Sequence, residues 1–67
     1  MINNRIKSEY ITQRGQHCGY VILRSINSEY HIELHLFGIS CPVIMETETD
    51  RGKAEKIYSE MLSEYSY

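Results

Sequence analysis

Residues 30–36, Tyr-His-Ile-Glu-Leu-His-Leu, alternate polar and apolar positions without a slip, the period of a half-buried β-strand. Upstream, residues 19–26 are rich in β-branched and aromatic side chains and predict a second strand, joined to the first by a two-residue turn at Asn27-Ser28. Residues 5–12 alternate loosely, with Ile6, Tyr10 and Thr12 on one side and Lys7, Glu9 and Ile11 on the other, and predict an edge strand. The polar stretch 13–16, with Gly15 free to take positive φ, connects it onward. Downstream, Gly38-Ile39 is read as a second two-residue turn leading into a strand over 40–47. Pro42 has no amide to donate, which suits an edge position or a bulge.

From Asp50 the period changes. Ala54, Ile57, Tyr58, Met61, Leu62 and Tyr65 fall on one stripe of an α-helix over 50–65, with Asp50 or Thr49 as N-cap. At 1.5 Å per residue the helix is ~24 Å long, enough to cover the sheet. The expected fold is α+β: a four-stranded antiparallel meander with one C-terminal helix packed on one face, ββββα, in a single domain spanning 1–67.

The two turns set a register. Val21 and Leu23 fall opposite Leu34 and Ile32, while Cys41, Val43 and Met45 fall opposite Leu36, Leu34 and Ile32. All eight then share one face, which the helix stripe suits. The other face should be solvated, as in most antiparallel sheets with one covered side. Instead it mixes Arg24, His31, Glu33 and His35 with Tyr20, Ile22, Ile26, Phe37 and Ile44. A contiguous apolar patch usually marks a contact site.

Composition narrows the function. The chain has 67 residues, begins at Met1 and is read as one complete small open reading frame. Such a short chain buries only about 60% of its unfolded surface, so a second buried surface would help it. A net charge of −2 with interspersed signs disfavours nucleic acid as a partner and is too weak for a DNA mimic. With no apolar run of ~20 residues and no leader-like segment, the expected compartment is the cytoplasm, with both cysteines reduced. Six tyrosines and no tryptophan favour interfaces, because Tyr joins an apolar body to a polar tip.

The stripe His31-x-Glu33-x-His35 invites a metal reading. On a strand, however, the two histidines stand ~13 Å apart, too far to share an ion at metal–nitrogen bonding distance. The best alternative set is Cys18/His35/Glu33, which lacks a second ligand cluster, so no metal or cofactor is expected. Cys18 and Cys41 should face opposite sides, Cys41 as a small core residue. Neither cysteine has the partners of a catalytic nucleophile. In architecture alone, a tiny acidic ββββα chain resembles the stand-alone accessory proteins of phages and mobile elements.

The sequence therefore reads as a small non-enzymatic interaction protein. It would self-associate, as a dimer first, and bind or inhibit another macromolecule through Tyr20, Ile22, Phe37, Ile44 and His35. The alternative is a binder of a nucleotide-like or other anionic small molecule, with Tyr rings stacking and Arg14, Arg24 and Arg51 meeting the charge. A more distant option is a metal-dependent enzyme using Glu33 and His35.

Overall fold

A computed structural model describes residues 3–67. Four antiparallel strands form one meander in the order β1 (Asn3–Gln13), β2 (Gln16–Ile26), β3 (Glu29–Leu36) and β4 (Ile44–Glu48). Helix α1 (Arg51–Tyr65) follows and packs across one face, giving the expected ββββα architecture. Asp50 is the N-cap, its Oδ1 accepting from the Lys53 amide at 3.0 Å.

The first two turns are tight because their central residues adopt positive φ: 52° and 81° at Arg14 and Gly15, 49° and 68° at Asn27 and Ser28. That handedness matches the twist of the flanking strands. Val21 accordingly faces Leu34 and Leu23 faces Ile32, as the sequence predicts. With Ile11, Ala54, Tyr58 and Met61 they form the core between sheet and helix.

The link from β3 to β4 departs from expectation. Gly38 takes a φ of 87°, but Gly38-Ile39 is not a two-residue turn: residues 37–43 form a wider loop, and β4 begins only at Ile44. Pro42 cannot donate to the ladder, and the first amide after it to bond β3 is that of Val43, on the Leu34 carbonyl at 2.8 Å. Ile44 therefore pairs with Leu34 and Met45 with Glu33, one residue out of the expected register. Every side chain of the strand changes face. Ile44 packs against the core, while Cys41, Val43 and Met45, expected inside, are exposed.

Strand β1 carries a second departure. Continuing the turn register from the Thr12–His17 pair would set Ile11 opposite Cys18 and Tyr10 opposite Gly19. A bulge at this point skips Cys18, so Ile11 pairs with Gly19 and Tyr10 with Tyr20. Ile11 is thereby buried and Tyr10 turned outward, as bulges re-aim side chains. Backbones approach closely here: a Cβ at Gly19 would overlap the His35 carbonyl oxygen. A compensating irregularity at Ile6 restores the register, so that Arg5 pairs with Arg24. Ile6 itself packs against the core rather than lying beside Tyr10.

Candidate functional site: the open face of the sheet

With one helix on one side, the opposite side of the sheet has no covering element. Register places Tyr20, Ile22 and Arg24 of β2 on it, beside His35, Glu33 and His31 of β3. Tyr10, Ser8 and Arg5 of β1 lie on their other flank, and Met45 of β4 beyond Glu33.

Rings cross this face in a continuous strip near the Arg14-Gly15 turn. His17 stacks on Tyr10 with centroids 4.5 Å apart, and Tyr10 meets Phe37 edge-on at 6.1 Å. Phe37 lies 6.4 Å from Tyr20, which stacks on His35 at 4.8 Å with the rings 7° from parallel. Tyr10 is 60% exposed and Phe37 53%.

Polar groups behind the strip are interlinked. Glu33 accepts from His35 Nε2 at 2.8 Å and lies 3.7 Å from Arg24 Nε. The second distance is ionic but beyond hydrogen-bonding reach, so Arg24 Nε is shut off from solvent without a hydrogen-bond partner. His31 lies 3.6 Å from Glu29. Toward the far end of β1 and β2, Arg5, Ser8, Tyr10, Tyr20, Ile22 and Arg24 line an open cleft of about 350 Å³.

Of the five expected interface residues, three lie on the strip: Tyr20, Phe37 and His35. Ile22 is on the same face but only 4% exposed, so it floors the cleft and offers little contact surface. Ile44 is a correction: the slipped register removes it to the helix side, and Met45 occupies the open face instead.

The three expected ligand arginines do not converge. Only Arg24 lines the cleft; Arg14 sits in the β1–β2 turn. Arg51 begins the helix on the other side, donating to Glu55 at 3.0 Å. That bond, then the one from Lys7, lowers the pKa of the Glu55 carboxyl. Sequence reasoning missed Arg5, Ser8, Tyr10 and His17. The one available signal was the loose alternation of β1, which already set Tyr10 apart from Ile11.

The Cys18/His35/Glu33 set does not assemble. Cys18, skipped by the bulge, packs against the core and directs its thiol to the Ile11 carbonyl at 3.7 Å. Among the described residues, no group of three or more His, Cys, Asp or Glu side chains is placed to hold a metal ion. Nor is any helix among them long and apolar enough to cross a membrane. Comparison with known protein families, curated proteins and solved structures returns no match.

Proposed function

We propose that this chain is a small non-enzymatic interaction protein. It self-associates through the aromatic end of its open sheet face, as a dimer first, and binds or blocks another macromolecule there. One observation carries this reading: the strip His17–Tyr10–Phe37–Tyr20–His35, with Tyr10 and Phe37 more than half exposed. Exposed aromatic clusters are the common anchors of protein interfaces, because they bury large area at little cost in side-chain entropy.

Sedimentation velocity across a concentration series tests it. The wild type should pass from monomer to dimer, while the Tyr10→Ala/Phe37→Ala double variant, with an unchanged circular dichroism spectrum, should remain monomeric. The reading fails if the wild type stays monomeric throughout and its strip stays open to a soluble paramagnetic probe in host extract.

A smaller ligand is favoured by a separate feature of the same face, the cleft between β1 and β2.

A further inference from the structure

We propose that this cleft binds a nucleotide, its phosphate held between Arg5 and Arg24 and its base stacked on Tyr10. The proposal rests on the reading of the open face as a binding surface and names a ligand that reaches from its basic end to Tyr10, where it competes with a second copy of the chain.

Arg5 and Arg24 are direct cross-strand partners. Like charges so placed repel, and an anion lodged between them converts repulsion into attraction. The one carboxylate paired with Arg24 does not satisfy it: Glu33 stands 3.7 Å from its Nε, and the other Glu33 oxygen is taken by His35. Arg24 Nε faces Glu33 and is closed to solvent, so a phosphate oxygen in the cleft would meet the remaining guanidinium N–H groups of this part-exposed side chain, with charge-assisted strength. Ser8 adds a hydroxyl on the same wall. Glu9 also borders the cleft, but its carboxylate accepts from the Tyr58 hydroxyl on the helix side.

The rest of the cleft specifies what the anion is attached to. Arg24 and Tyr20 are four strand residues apart, ~13 Å, which separates a charged end from a ring-lined end. Ile22 forms an apolar floor between them, and Tyr10 is the most exposed ring on the wall. A volume of about 350 Å³ lies at the small end of the range for ligand pockets. A phosphate linked to a planar base meets charge, floor and ring together; an inorganic anion meets only the first. Another cleft, between β4 and α1, carries Glu46, Glu60 and Glu64 and has the wrong sign.

The test is an amide NMR titration of the full chain with adenosine 5′-monophosphate, adenosine, inorganic phosphate and a short single-stranded oligothymidylate. Saturable shifts with the monophosphate should centre on Arg5, Ser8, Tyr10, Tyr20 and Arg24. Adenosine and inorganic phosphate should each bind at least about tenfold more weakly, as loss of a stacking or ionic contact implies. Arg24→Gln should weaken the monophosphate by a similar factor, and Arg24→Lys should recover part of it.

Tighter binding of the oligonucleotide, falling with salt, identifies the source as a single strand; tighter binding of the monophosphate identifies a free nucleotide. Either supports the site. The proposal is overturned if neither gives saturable shifts, if inorganic phosphate binds as well as the monophosphate, or if Arg24→Gln changes nothing. The open-face reading is judged separately, by the oligomeric state of the Tyr10→Ala/Phe37→Ala variant.

Discussion

Tyr58 fastens the helix to β1 through both its ring and its hydroxyl. It is 1% exposed, Lys7 Nζ lies 4.8 Å from the ring centroid, and the phenol donates to Glu9 Oε1 at 3.0 Å. Burial first, and then the Glu9 carboxylate, push the phenol pKa well above its ordinary value of 10.0. The folded state therefore favours the neutral phenol. Its contribution to stability is complete below pH 10 and declines as pH rises toward the folded value. Tyr58→Phe should cost about 1 kcal/mol near neutrality, below the usual range for a bond to a charged group because the exposed Glu9 can turn to water. For a domain of this size that is roughly 4–8 °C in melting temperature. Thermal melts from pH 7 to 11 check both parts: the gap between wild type and variant should narrow above pH 10. A constant gap would show that the phenol does not titrate with unfolding.

At the scale of elements, β4 is the most informative because its register decides which of two neighbours is inside. Ile44 packs against the core, whereas Met45 is 57% exposed beside Glu33. Ile44→Asp should cost at least about 2 kcal/mol, because it sets a carboxylate against apolar side chains. Met45→Lys, which sets a cation opposite Glu33, should stay within about 0.5 kcal/mol, as surface substitutions usually do. Urea denaturation of the two variants checks this, and the opposite order of stabilities would restore the register expected from a tight Gly38-Ile39 turn. The contrast also explains how legible the fold was. The β2–β3 pairing could be read because Asn27-Ser28 leaves no slack between two alternating strands. The β4 pairing could not, since a loop of several residues around Pro42 loses the parity that a two-residue turn preserves. The same applies to the site. Tyr20, Arg24 and His35 were found because they lie on the β2–β3 pair. Arg5, Ser8 and Tyr10 were missed because their face depends on a bulge at Cys18, whose one sequence signal is the in-strand glycine beside it, Gly19.

The molecule as a whole is a slab of 36 × 24 × 16 Å, a sheet with a single helical layer on it. Its broad open face is comparable in size to the ~800 Å² per partner of a standard interface. Its edges need separate protection, because an open strand edge templates further strands. The β4 edge is only five residues long. The β1 edge runs for eleven, and the residues after the helix close its end. Tyr67 donates to the Thr12 carbonyl at 2.9 Å and accepts from the Arg14 amide at 2.7 Å. Ser66 Oγ accepts from the Thr12 amide, and Gln13 Nε2 donates to the Tyr65 carbonyl at 2.9 Å. Removing Ser66 and Tyr67 should cost about 1–2 kcal/mol for the lost bonds and uncover the Thr12–Arg14 edge. Two kinds of association then become separable. Face-to-face pairing saturates at a closed dimer and is abolished by Tyr10→Ala/Phe37→Ala, whereas edge pairing grows without closing. The shortened chain should show a lower melting temperature and species beyond the dimer in sedimentation velocity, persisting when the two ring substitutions are added. If those substitutions return it to a monomer, the edge plays no part, and the open face alone governs how copies of this chain meet.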